Sequence, residues 1–322
     1  MRKRGRVVRV DAPAKINLTL RVLDRHDDGY HEIRTTFQSI ALSDSLFFEE
    51  VDGPFSLECA DPECPPGPDN LVWRGASLLW TSLKRRGRMR GVQVTLVKRV
   101  PSQAGLGGGS SDAAAALRAL ARIWDADEEP AVLDRVAAKL GADVSFFLRG
   151  GTALGLGRGD AIFPLADPPA SWVVIARPPF GVPTADAYRW FDESARSPKP
   201  GARSLEPDAW SPKPKTWSLK PGAWSLMPGA WSLIIPPSEL GNDLQAPVVA
   251  KHPQIGGLIR KLARQGAFYA GMSGSGSAVF GLFREAPAAR AAAGAVAGRG
   301  VTAWVTRTLS RRAAHHAMRL RL

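Results

Sequence analysis

The chain has 322 residues, with 43 Lys and Arg against 30 Asp and Glu, a formal charge of +13 and two cysteines. That length buries a sizeable core and suits two domains; no apolar run is long enough to span a membrane, and Met1-Arg-Lys-Arg-Gly-Arg lacks the apolar segment of a secretory signal, so the expectation is a cytoplasmic protein without a membrane partner. The excess charge gathers in Arg2, Lys3, Arg4, Arg6 and Arg9 and in Arg307, Arg311, Arg312, Arg319 and Arg321, which reads as solvated ends and not as a specific nucleic-acid surface.

In chain order, Val7–Val10 and Lys15–Leu23 alternate like half-buried strands. Period two puts Lys15, Asn17 and Thr19 on one face and Ile16, Leu18 and Leu20 on the other. A lysine beside an asparagine can polarise a substrate oxygen or position a carboxylate; the same pattern also describes a solvated strand face. Gly29-Tyr-His-Glu32 then presents Tyr30, able to stack on a nucleobase, and His31, able to hydrogen-bond its edge, although ordinary packing also accounts for a lone tyrosine. Leu46–Glu50 and Phe55–Cys59 continue the β character. Cys59 and Cys64 lack the further ligands of a zinc site and read as incidental loop residues. From Asp69 to Lys84 the pattern is helical.

Val92–Val100 is a predicted strand that delivers the chain into Pro101-Ser-Gln-Ala-Gly-Leu-Gly-Gly-Gly-Ser-Ser-Asp-Ala-Ala-Ala-Ala116. Four glycines in five residues let backbone approach a ligand closely, and the alanines start a helix at once. Such a loop aims N–H groups and a helix dipole at one spot, which suits a phosphate. It is neither a Walker A loop, having no lysine, nor a dinucleotide fingerprint, having Ser110 where the third glycine belongs. A flexible glycine linker ahead of a plain helix is the alternative. Helices are predicted over Ser111–Ile123 and Ala131–Leu140. Gly141-Ala-Asp-Val-Ser-Phe-Phe147 then supplies Asp143, either a carboxylate placed to accept an alcohol proton or merely a helix cap.

Strands near Thr152–Leu156 and Trp172–Ala176 precede a predicted helix from Thr184 to Phe191 that carries Tyr188. Next, Pro207, Pro214, Pro221 and Pro228 recur every seven residues, as do Trp210, Trp217, Trp224 and Trp231. Proline in every heptad rules out a coiled coil, so residues 196–234 read as a tandemly duplicated, extended surface insertion. Predicted elements follow over Ile255–Arg264, Phe268–Ala270, Ala278–Phe283, Ala288–Ala297 and Val301–Arg307. The loop Gly271-Met-Ser-Gly-Ser-Gly-Ser-Ala278 is either a plain turn or a second approach to the substrate or the glycine loop. The whole is an α+β mixture without a regular βαβ repeat.

Ala14-Lys-Ile-Asn-Leu18, Asp28-Gly-Tyr-His-Glu32, Gly105-Leu-Gly-Gly-Gly-Ser-Ser-Asp-Ala113, Gly141-Ala-Asp-Val144 and Met272-Ser-Gly-Ser-Gly276, in that order, resemble the motifs of the GHMP small-molecule kinase superfamily. The closest likeness is to its branch acting on a cytidine-diphosphate-linked methylerythritol. The resemblance implies two α+β domains, 1–165 and 166–322, with the active site in the cleft between them. It implies ATP-dependent phosphorylation of that small-molecule substrate at its 2-hydroxyl, in the non-mevalonate isoprenoid pathway, by a monomer or weak homodimer. Another small alcohol, such as homoserine or mevalonate, is the alternative substrate. By the resemblance, Asp143 is the base and Lys15 holds and tunes it. Pro101, Ser102, Gln103, Ala104, Gly105, Leu106, Gly107, Gly108, Gly109, Ser110 and Ser111 would cradle the ATP phosphates, with Asn70 and Lys98 lining the nucleotide site. Asn17 and Thr184 would hydrogen-bond the substrate, His31 would read the cytosine edge, and Tyr30 and Tyr188 would clamp the ring. Magnesium (Mg2+) would arrive with ATP, on protein ligands the motifs do not name. The loop departs from the family pattern at Pro101-Ser-Gln-Ala-Gly105, where relatives usually carry methionine and further glycines.

Overall fold

The computed structural model describes residues 7–126, 130–196 and 240–321; the proline and tryptophan heptads lie outside them. The two strands expected near the N-terminus are one, β1 (Val7–Arg25), paired antiparallel along its length with β2 (His31–Pro54). Then come β3 (Ser56–Cys59), α1 (Leu71–Ser82), β4 (Arg90–Val97), α2 (Gly108–Ile123), α3 (Pro130–Leu140), α4 (Ala142–Arg149), β5 (Thr152–Leu156) and β6 (Ala161–Pro164). The second half supplies β7 (Trp172–Arg177), α5 (Thr184–Arg196), β8 (Gly241–Asn242), α6 (Gln245–Lys251), α7 (Pro253–Arg264), β9 (Tyr269–Met272), β10 (Val279–Phe283), α8 (Ala286–Val296), β11 (Thr302–Arg307) and α9 (Arg311–Ala317).

These elements form four layers. A seven-stranded sheet runs β3-β4-β2-β1-β8, with β5 and β6 continuing from β2, and a four-stranded sheet runs β11-β7-β10-β9. Helices α1 to α4 cover the first sheet over a core that includes Val94, Leu96, Leu117, Leu120, Phe146 and Phe147. Helices α5 to α8 cover the second, against Val174, Ala176, Val279 and Phe283. Between the sheets, Ile16, Leu18 and Ile40 meet Val173, Ile175, Phe280 and Leu282. Alternate residues of β7 and β10 thus enter different cores, so both strands read as unbroken apolar runs.

The same layering overturns the solvated-face reading of β1. Lys15, Asn17 and Thr19 are only 4%, 2% and 4% exposed. The register with β2 slips between Pro13 and Lys15. Before the slip the even-numbered Val10 and Ala12 join the first core; after it Ala14, Ile16 and Leu18 face the second sheet. Lys15 is thereby turned toward the glycine loop and α4, accepted there at its backbone by the Leu106 carbonyl at 3.0 Å. The second half of the chain also returns to the first sheet. β8 pairs in parallel with β1 at Thr19 and Leu20, and Met318 packs in the first core.

Candidate active site

The glycine loop takes its shape from its neighbours. Gly105 and Gly107 have φ of 75° and 71°, where a side chain is strained. Gly107 is the N-cap of α2 and offers no side chain to it. The helix starts at Gly108, three residues before the expected Ser111, and its ladder opens with Ser111 N–H to the Gly107 carbonyl. The N–H groups of the turn before that bond are those a helix leaves for an anion.

Two elements distant in sequence hold the loop. From β1, the Pro13 carbonyl accepts from Ser111 Oγ at 2.7 Å. From the second half, Ser273 Oγ donates to the Gly105 carbonyl at 2.9 Å and accepts from Asn17 N–H at 3.2 Å, while Ala278 N–H donates to the Ala104 carbonyl. The Gly271–Ala278 segment is therefore more than a turn: it is the clamp on the loop. Asn242 Nδ2 holds that clamp through the Met272 and Gly274 carbonyls.

Beside the loop lies a cavity of about 550 Å³. Lys15, Asn17, Lys98, Asp143, Thr184, Tyr188 and residues 101–110 all contribute to its wall. Asp143 stands in the first turn of α4, at the positive end of the helix dipole, with its side chain 32% exposed. Lys15 Nζ lies 3.4 Å from Asp143 Oδ2 and 2.6 Å from Asn17 Oδ1, over the Phe37 ring. Asn17 Nδ2 donates to Thr35 Oγ1 at 2.7 Å, so its amide is spent on positioning Lys15. Thr184 Oγ1 shares a hydrogen bond with Ser275 Oγ at 3.0 Å. Burial, with the Asp143 charge adding to it, pushes the Tyr188 hydroxyl up to about 12, so it stays a donor.

Four expected site residues stand off the cavity wall. Asn70 caps α1, accepting from Val72 N–H at 2.9 Å and donating to the Pro65 carbonyl and Cys64 Sγ. Ser111 is fully buried on the Pro13 carbonyl. Tyr30 is 60% exposed beneath the Arg158 guanidinium, 4.4 Å from its ring centre. His31 stacks on Tyr188 at 5.3 Å, with Nε2 at 2.8 Å from Asp192. The two half-buried thiols prove less incidental than their spacing suggests, since Cys64 adjoins Asn70 and burial lifts it to about 12.

Sequence reasoning missed two carboxylates under the loop. Lys98 Nζ is bound by Asp44 Oδ2 at 2.5 Å and by Asp112 Oδ2 at 2.7 Å. Burial opposes the ammonium, but Asp112 and Asp44 outweigh it and hold Lys98 charged well above the usual lysine range. Asp44 also accepts from the N–H groups of Arg99 and Val100, so the group ties the strand entering the loop to the helix leaving it. Asp112, the one charge in the alanine run, was the visible signal; nothing marked Asp44.

Asp112 is fully buried and its Oδ1 has no partner. Burial pushes it up from 3.8 to about 8; Lys98 pulls down and Asp44 adds to the rise. The folded state therefore keeps a proton that the unfolded chain gives up above about pH 4, and this group's contribution to stability declines as pH rises from about 4 to about 8. In urea melts across that range, Asp112→Asn is expected to flatten the decline. An unchanged pH slope would place its origin in another group.

The sequence matches the model of the GHMP kinases N terminal domain over residues 70–151 and that of the GHMP kinases C terminal over 228–301. It is 39% identical to the 4-diphosphocytidyl-2-C-methyl-D-erythritol kinase of Moorella thermoacetica, over 94% of this chain and 99% of that one. For the enzyme of the same name from Pelotomaculum thermopropionicum the figures are 40%, 95% and 99%. The crystal structure of a 4-(cytidine 5'-diphospho)-2C-methyl-D-erythritol kinase superposes with a TM-score of 0.72 at 35% identity, covering 93% of this chain and 98% of that one. A homoserine kinase from Cytophaga hutchinsonii, 17% identical with a TM-score of 0.65 over 96% of each chain, shares the fold. With near-complete coverage on both sides, the chain belongs to the GHMP kinases and, within them, to the 4-diphosphocytidyl-2-C-methyl-D-erythritol kinase family.

Proposed function

We propose that this chain transfers the γ-phosphoryl group of ATP to the 2-hydroxyl of 4-diphosphocytidyl-2-C-methyl-D-erythritol, as a cytoplasmic enzyme of the non-mevalonate isoprenoid route. The observation that carries this reading is the Lys15–Asp143 pair on the wall of the same cavity as the glycine loop. The loop's N–H groups and the α2 dipole hold the phosphates, and Lys15 with Asp143 meets the acceptor alcohol. As the new P–O bond forms and the bond to the ADP oxygen breaks, the hydroxyl proton passes to Asp143. Lys15, fixed by Asn17, keeps that carboxylate aimed at the alcohol. The transition state is loose, so positioning and charge do most of the work. Magnesium would come as the ATP complex, whose charge offsets that of the phosphates; Asp143 and Glu63 are the carboxylates on the cavity wall. We read the chain as two domains meeting near residue 165, one giving the glycine loop and the other its clamp.

Tyr188 supports the cytidine half of the reading, because its ring lines the cavity and is backed by His31. A purified enzyme given ATP, magnesium and a panel of alcohols is expected to turn over the cytidine-linked substrate and to leave homoserine and mevalonate untouched. Tyr188→Ala should raise KM for that substrate by about tenfold, in line with about 1–3 kcal/mol for a base stack, with KM for ATP unchanged. Equal turnover of homoserine would defeat the substrate assignment, and an unmoved KM would take Tyr188 out of it.

A further inference from the structure

A second cavity, of about 820 Å³, opens where the far end of α2 meets α9 and the strands behind them. It shares no wall residue with the kinase cleft. Arg118, ten residues beyond Gly108 and so about 15 Å along the helix, projects into it. Among the described residues its guanidinium meets one acceptor, the Leu148 carbonyl at 3.4 Å, and no carboxylate. Arg122 and Arg319 line the same space without an acidic partner among the described residues. The other lining arginines are satisfied, Arg149 by Asp134 at 2.7 Å and Arg321 by Asp11 at 3.4 Å. Among the described residues, three guanidiniums therefore share this wall with one acid that has no ion-pair partner, the exposed Glu50.

Within this set Arg118 is half-buried, whereas Arg122 and Arg319 are exposed. Burial, aided by the like charge of Arg319, pushes Arg118 below the usual arginine range. Burial and the nearby Arg118 also lower His315, whose Nε2–H is directed at the Arg149 carbonyl at 2.7 Å. An anion seated between Arg118 and the exposed Arg319 would supply the counter-charge that Arg118 lacks among the described residues. The opposite wall is hydrocarbon: Phe48, Leu148 and Met318 belong to the core, and Leu133 and Leu320 pack beside them. The volume lies in the range of small-molecule sites, and far exceeds what an inorganic anion fills.

We propose that this cavity binds a small organic phosphate with an apolar body, its anionic head held between Arg118 and Arg319. Bidentate guanidinium contacts suit a phosphoryl head, and the apolar wall selects for what the head is attached to. The site stands apart from the reaction, so it can be tested with the cleft blocked.

Isothermal titration with the glycine loop saturated by a non-hydrolysable ATP analogue separates the two sites. Octyl phosphate is expected to bind saturably, at least tenfold more tightly than inorganic phosphate. Arg118→Gln and Arg319→Gln should each weaken it at least tenfold while kinase turnover stays at the wild-type rate. No saturable heat in the wild type, or unchanged affinity in the double variant, overturns the site. Equal affinity for inorganic phosphate overturns the apolar body. Arginine-dependent co-sedimentation with phosphatidic acid vesicles would make the source a lipid surface and overturn the free-molecule assignment.

Discussion

Asp143→Asn is expected to lower kcat by about 10²- to 10⁴-fold and to leave the affinity for ATP unchanged. The amide is nearly isosteric with the carboxylate, so α4 and the cavity wall should keep their shape. What disappears is the proton acceptor 3.4 Å from Lys15 Nζ. ATP affinity should hold because the donors proposed for the phosphates are backbone N–H groups of another element, and Lys15 keeps Asn17 as its second anchor. Steady-state kinetics with a parallel titration of ATP into the variant would separate the two effects. A fall of less than about tenfold would mean that the proton leaves late and that Asp143 positions the alcohol instead of deprotonating it.

Gly105→Ala is the second large effect. At φ 75° an added Cβ would sit 2.0 Å from the Ser273 carbonyl oxygen and 3.0 Å from its carbon, both backbone atoms. The left-handed conformation alone costs about 1–2 kcal/mol, and the collision forces the clamp away from the loop. We expect a loss of about 2 kcal/mol or more in stability, and a KM for ATP raised at least tenfold as Ser273 and Ala278 release the loop. Gly109→Ala is the control, since its Cβ meets nothing nearer than Leu71 Cδ1 at 3.9 Å. Its melting temperature should stay near wild type. Equal destabilisation by the two variants would show that the contact with Ser273 does not hold the loop.

Much of the site was legible in the chain because its motifs are backbone chemistry. Glycines at 105 and 107 announce a loop that needs positive φ, and the structure puts both there. Alternation along Lys15, Asn17 and Thr19 announces a strand with those residues on one face. The motif matches also gathered Lys15, Asp143, Thr184 and Tyr188, which do line one cavity. Less legible was what each neighbouring group does with its hydrogen bonds. Asn70 and Ser111 satisfy a helix cap and a strand carbonyl, and Tyr30 lies under an arginine from beyond β5. The cap by Asn70 is local, an asparagine just ahead of a helical run, but no local pattern reports the partners of Ser111 and Tyr30, because each lies on a different element.

The sequence by itself determined the left-handed turns of the glycine loop, the alternation along β1 and the family, because these follow from side-chain size, alternation and motif spelling over short spans. Only the tertiary structure decided that both faces of β1 are buried, that a loop 168 residues away clamps Gly105, and that Lys98 answers to Asp44 and Asp112 and not to solvent. The physical reason is range. A dihedral preference acts within a few residues, whereas the burial of a charge depends on which distant elements close over it when the two sheets pack.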